Sequence, residues 1–400
     1  MTTCTRANPA PQAPPAAEVE VWSKPGADRL VTPQFLLLLA IQHAFGFAFS
    51  AFFLLPKYLT TELDAGPQAI GQVTAIAMVA GVVVVPFLAP LLDRRRRRPF
   101  VLGGSLLMAA AAVGFVWVDA VGPYVMVLRS VQGLAFTMVF SAVVTLVTDL
   151  SPPARLGRAI GWCGVAMLVT NAIAPLVMEP LAEQHGWTPA FVFAGGAAVV
   201  ASGLSLLIRE APPAPREVVP AVSALRSARV GVALVASALA GAAFGAMFTF
   251  TQPFALSLGA TRVAGFFGGF TVAALVVRIS LGGLVDRFGR RRISFVTLLA
   301  YTVVVMATAA LTPGRLAVFG AAFGVAHGLM YPALSAFSLE GVDRRQRGTV
   351  VTYFSGAFNA GVAVSVIVLG LVAEAHGYPP IFIGAGVLSL IAAAALASVR

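Results

Sequence analysis

The sequence predicts an all-α integral membrane protein: twelve transmembrane helices forming two six-helix bundles related by a parallel repeat. Three observations predict it. The chain is 58% hydrophobic, with a mean hydropathy of +0.89 and only 11% charged residues, whereas soluble proteins carry about 25%. Its charges fall between apolar runs of the roughly 20 residues that a spanning helix needs. Its second half repeats features of its first at a near-constant offset.

Apolar runs bounded by charge, Pro or Gly place helices at 33–55, 68–92, 99–118, 122–148, 156–178 and 188–208. They resume at 229–257, 261–286, 291–312, 315–338, 346–372 and 379–398. Residues 1–32 are Pro/Ala-rich and polar, with no apolar signal-peptide core, and read as a disordered cytoplasmic tail. The stretch "REAPPAPREVVPAVSALRSAR" is the one long polar break between runs. It divides the chain into a first bundle (33–208), a linker (209–228) and a second bundle (229–400).

A net charge of +11 and a pI near 10.7 would suggest nucleic acid in a soluble protein. Here location decides otherwise. Arg94 to Arg98, Arg155, Arg158, Arg209, Arg216, Arg226, Arg229, Arg287, Arg290 to Arg292, Arg344, Arg345 and Arg347 cluster in alternate loops, while the opposite loops hold only Lys57, Arg262 and Arg315. That bias puts both termini and the basic loops in the cytoplasm of a cell-membrane protein, against anionic lipid. Cys4 and Cys163 define no disulfide framework or metal site, and no cofactor is implied.

The repeat is legible in three places. "LAEQHGWTPAFVFAGG" (181–196) aligns with "VAEAHGYPPIFIGAG" (372–386) at an offset of 191. Arg155 falls against Arg347 at an offset of 192. "APLLDRRRRRPFVL" (89–102) falls against "GGLVDRFGRRRISF" (282–295) at an offset of 193.

These residues resemble the major facilitator superfamily of transporters over residues 33 to 398. That family carries a G-x-x-x-D-R-x-G-R-[RK] loop after its second helix, often echoed after the eighth. The later copy matches at Gly282, Asp286, Arg287, Gly289, Arg290 and Arg291. The earlier copy keeps Asp93, Arg94, Arg97 and Arg98 but has Ala89 and Arg96 in place of glycines. "RSVQGLA" resembles the fourth-helix R-x-x-Q-G motif at Arg129, Gln132 and Gly133. "NAIAPLVMEP" is a degraded G-P-x-x-G-G antiporter stretch that keeps Pro175, with Ala174, Met178 and Glu179 replacing glycines. The sequence around Arg278 resembles bacterial sugar-efflux and metallophore-export branches, within a family that includes drug-efflux proteins.

An Asp at such a loop can accept hydrogen bonds from a facing helix N-terminus, and neighbouring arginines can pair with carboxylates. The loops are therefore expected to gate the cytoplasmic side, with Arg278 pairing a gate carboxylate; the bland alternative is that the arginines only set topology. Within the spans the ionisable candidates are His43, Arg129, Arg278 and His327, and every Asp and Glu reads to a loop or helix end. The resemblance puts His43, Arg129 and His327 on cavity-forming helices, where an imidazole can exchange protons. Either His can equally be a packed neutral side chain, and Arg129 can bind an anionic substrate or simply its neighbour Gln132. Polar candidates beside them are Gln42, Gln72, Asn171, Gln252 and Asn359, the last between Gly356 and Gly361, which permit close helix approach. Phe45, Phe49, Phe52 and Phe53 share one face of the first helix.

The expected function is secondary transport by alternating access, with proton-coupled export of a small organic or drug-like solute. Its partners would be that solute, coupled protons and the bilayer, with the protein a monomer. No G-x-x-x-x-G-K-[ST] loop exists to use ATP. A uniporter or an organic-anion importer is the alternative within the class. A polytopic membrane enzyme or a transporter-like sensor is the alternative outside it, and the duplication speaks against an enzyme.

Overall fold

A computed structural model of the chain describes residues 30–152, 155–210, 227–281, 287–343 and 346–398, with no side-chain description for 89, 93 and 157. Among these, 12 helices are long and apolar enough to cross a membrane. The spans begin where the backbone is told to begin. Thr32 accepts the Phe35 amide ahead of the first, and Pro33, Pro67 and Pro123 open the first, second and fourth, where the missing N–H costs nothing.

The first span is compound. An α-helix (Pro33–Ser50) tightens into a four-residue 3-10 segment (Ala51–Leu54), then resumes as Leu55–Glu62. Pro56 accounts for the change, because its ring denies the preceding turn a regular α hydrogen bond. The second span covers Pro67–Arg94, the third Arg98–Gly114, the fourth Pro123–Leu150, the fifth Leu156–His185 and the sixth Trp187–Ser205. In the second half, the seventh covers Ala228–Ser257, the eighth Ala264–Leu281, the ninth begins at Arg290, the tenth covers Leu316–Ser338, the eleventh Arg347–His376 and the twelfth Pro379–Ser398.

The expected bounds differ most at charged residues. The first span was expected to end at 55 and runs on through Lys57; the fifth was expected to end at 178 and runs on through Glu179 and Glu183. The sequence repeat has a structural counterpart at the fifth and eleventh helix ends. Gly186 and Gly377 sit at φ 82° and 79°, and each amide returns to a carbonyl four residues back (Ala182, Ala373) at 2.9 Å. That left-handed φ suits glycine.

Close contacts between spans run through glycine. A Cβ on Gly133 would strike the Ala77 carbonyl of the second span. One on Gly241 would meet the Phe358 carbonyl, and one on Gly361 the Ala238 carbonyl, so the seventh and eleventh spans touch backbone to backbone. Gly356 meets nothing, so of the two glycines flanking Asn359 only Gly361 serves close approach. Outward apolar side chains such as Trp117, Val303, Val318 and Val364 stay exposed, as a lipid-facing wall requires.

Candidate functional site: the cleft between the halves

A cleft with a cavity volume of about 70 Å³ lies between the halves. Phe49, Phe52, Phe53, Met78 and Arg129 line it from the first half, and Phe244, Phe248, Thr249 and Val362 from the second. The wall is apolar and aromatic apart from two threonines, Thr74 and Thr249, and one cation. Arg129 is only 5% exposed; its Nη1 donates to Gln132 Oε1 at 2.6 Å and its Nε reaches the Val73 carbonyl at 3.4 Å. Among the described residues no carboxylate pairs with it. The R-x-x-Q-G pattern thus divides its work: Gln132 orients the guanidinium one turn along, and Gly133 lets the second span approach.

At one end the halves are locked together. Lys57 and Glu179 are 7% and 2% exposed and meet at 2.6 Å. Lys57 Nζ also donates to Glu183 at 3.3 Å and to the Thr261 carbonyl at 2.8 Å. Glu179 accepts the Val263 amide on Oε1 and the Ala264 amide on Oε2, both at 2.7 Å, so it closes onto the N-terminus of the eighth span. Arg262 reaches back to Glu183 at 3.0 Å. On the other side of the same end, Glu374 of the eleventh span accepts the Gln68 amide of the second at 3.2 Å. Gln252 donates to the Phe53 carbonyl at 2.7 Å, and Gly71 lies against the Val366 carbonyl.

The described residues of the arginine-rich loops make their contacts away from the other half. Glu210 caps the third span through the Arg97 amide (2.7 and 2.8 Å) and the Arg98 amide (3.1 Å). The buried Arg97 side chain lies 3.4 Å from Glu210, at the start of the linker, and 3.7 Å from Asp149 of its own half. In the second copy Arg290 lies 4.0 Å from Glu340, and Arg291 donates to the Leu396 and Ala397 carbonyls at 3.1 and 2.7 Å, again within one half. Arg97, Arg290 and Arg291 therefore make no contact with the opposite bundle here. Arg287 lies over the Phe288 ring at 5.4 Å, and Arg94 is an exposed last-turn residue of the second span. Gly289 has φ 86°, which explains the motif's glycine; the first copy, with Arg96 there, avoids that conformation. Gly282 and Asp286 lie outside the described residues, and Asp93 is placed by its backbone alone, in the second span.

The remaining candidates scatter. His43 is exposed and bonds only its own helix, through the Leu39 carbonyl at 2.9 Å. It does not line the cleft, because Phe49, Phe52 and Phe53 occupy a different face from His43 and Phe47, and Phe47 packs on Phe193 of the sixth span. His327 is buried behind Phe244 in a cage of Phe270, Phe323, Tyr331 and Phe358, with the Tyr301 hydroxyl 3.3 Å from Nδ1. Arg278 lies within electrostatic reach of His327 and Tyr331, its Nε buried and unpartnered, and no gate carboxylate among the described residues pairs with it. Gln42 Nε2 touches Met167 Sδ at 3.5 Å, Asn171 accepts from Ser50 at 2.9 Å, and Asn359 is half-buried. The expectation that every acid sits at a loop or helix end is corrected by Glu179, which is buried inside the fifth span because Lys57 and two amides compensate it.

Comparisons with known proteins agree with this architecture. The family model described as "Major Facilitator Superfamily" matches residues 36–314 and 264–400. The multidrug resistance protein MdtG of Serratia proteamaculans is 26% identical over 346 residues, covering 82% of this chain and 84% of that one. A chain named "Probable transporter" in Streptomyces coelicolor is 31% identical over 303 residues, covering 71% and 68%. Among solved structures, a mutant of the nucleoside transporter NupG superposes with a TM-score of 0.80 at 14% identity, over 91% of this chain and 99% of that one. A bacterial homologue of the lysosomal transporter Spinster, inward-facing and unoccupied, gives 0.75 at 15% identity, over 91% and 95%. Twelve spans, a duplicated half, a cleft between the halves and a family model spanning them have one meaning: the chain belongs to the major facilitator superfamily and is a secondary transporter, with no enzymatic role.

Proposed function

We propose that the protein exports small amphipathic organic solutes that carry an acidic group, with proton flow as the drive. The observation that carries the substrate class is Arg129, a guanidinium on an aromatic cleft wall with no carboxylate partner among the described residues. A cation so placed in a low-dielectric cleft favours an anionic group on whatever enters and disfavours cationic drugs. The direction draws on the kinship with proteins named for multidrug resistance. The arginine bias puts the basic loops in the cytoplasm, which makes the locked Lys57 end the outer face and the opposite end the side of substrate entry.

Proteoliposome flux of three matched probes tests the reading: 1-naphthoate, 1-naphthylmethylammonium and 1-naphthalenemethanol. Naphthoate is expected to move fastest, and faster with an opposing proton gradient. Preference for the ammonium probe would overturn it. On the same purified samples, Arg129→Lys is expected to weaken naphthoate binding by about 1.5–3 kcal/mol, because the charge stays but the planar fork is lost. Arg129→Ala should weaken it further with an unchanged melting temperature. A lowered melting temperature with normal affinity would make Arg129 a packing residue.

A further inference from the structure

We propose that Glu179 is the proton-binding group of the transport cycle, and that a proton and the start of the eighth span compete for it. Glu179 has a side chain only 2% exposed, against 6% for Glu210, and it reaches across the two halves. Its two oxygens are both committed in the locked state: Oε1 takes Val263 N–H and Lys57, and Oε2 takes Ala264 N–H. A proton added to either oxygen turns an acceptor into a donor facing a donor. Locking therefore requires the carboxylate, and a protonated Glu179 releases the eighth span. When the halves part, the first half keeps Lys57 and Glu183 beside Glu179, while the two amides leave with the second half. Those amides are the proton's competitors.

The repeat gives an internal control. At its offset of 191 the partner of Glu183 is Glu374, which caps the second span from the surface, while the partner of Glu179 is Gly370. A Cβ at Gly370 would come within 2.9 Å of the Pro67 carbonyl, so there close backbone packing and the exposed Glu374 cap complete the closure. Shutting this end needs no buried carboxylate on the pseudo-symmetric side. Glu179 also stands where the antiporter stretch of the family has a glycine. The charged groups around it are Lys57 from the first span, Glu183 on its own helix and Arg262 from the connection before the eighth span; the eighth span itself offers only backbone amides.

The inference rests on the proton-coupled reading for its role in flux, and its test uses no substrate. Spin labels at Thr188 and Leu258, exposed positions on opposite halves at the Lys57 end, report the distance across it in a cysteine-free protein in lipid nanodiscs. Acidification from pH 8.5 is expected to move the wild type from the short to the long distance. Glu179→Gln should cut the short-distance fraction at least about tenfold at pH 8.5, the factor carried by one charge-assisted hydrogen bond, and should flatten the pH response. Glu179→Asp should keep a pH response. An undiminished response in Glu179→Gln, or none in the wild type, overturns the proposal. A response that tracks Glu179 while wild-type naphthoate flux ignores the proton gradient upholds the site and overturns the coupled-export reading alone.

Discussion

Gly71→Val is expected to hold the Lys57 end open without unfolding either half. Any Cβ at position 71 runs into the Val366 carbonyl, and that atom belongs to the other half. The clash therefore exists only when the halves meet. Backbone cannot rotate away as a side-chain tip can, so the cost falls toward the upper part of the about 1–3 kcal/mol typical of overpacking. At 1.4 kcal/mol per decade, the closed population should drop by roughly 5- to 150-fold. Transport that must pass through the closed state falls with it, while yield and melting temperature stay near wild type. The same spin-label pair reads the opening, and a wild-type distance distribution in Gly71→Val would refute the contact.

Gly361→Val should do the opposite: destroy the fold and leave no state to trap. Its Cβ would enter the Ala238 carbonyl, and Gly241 faces the Phe358 carbonyl from the other side of the same contact. Both spans belong to one half, so no rigid-body motion relieves the strain. The loss should exceed about 3 kcal/mol, seen as aggregation in detergent and little monodisperse protein. Gly356→Val on the same helix, where a Cβ meets nothing within 4 Å, is the control and should purify normally. Equal yields from both variants would show that the seventh and eleventh spans do not depend on this approach.

Much of the architecture is legible in composition because the bilayer admits few alternatives: long apolar runs must be helices that satisfy their own backbone groups. The repeat in "LAEQHG" and "VAEAHG" is legible because two helices end on the same left-handed glycine. What escaped sequence reasoning are the residues that only a fold can compensate. Lys57, Glu179 and Glu183 read as markers of helix ends, since a charge in a span is costly. They continue the helices because each finds its partner more than a hundred residues away, at an offset no local pattern reveals. The signal that could have found Glu179 was its place in the antiporter stretch, a lone acid where glycine is expected. Histidines misled in the opposite sense. The resemblance put His43 and His327 on cavity-forming helices but could not say that one faces away from the cleft and the other is caged by rings.

The 3-10 segment Ala51–Leu54 gives the first span an adjustable length. Phe52 and Phe53 within it line the cleft, and Lys57 follows three residues after it. A 3-10 turn rises about 2.0 Å per residue against about 1.5 Å in an α-helix, and winds about 120° per residue against about 100°. Rewinding four residues would therefore shorten the rod by about 2 Å and swivel its far end by about 80°. The Lys57–Glu179 contact, at 2.6 Å, tolerates neither. A solute that changes how Phe52 and Phe53 pack thus has a screw thread already cut into the helix, and turning it withdraws the lysine from a carboxylate the solute never touches.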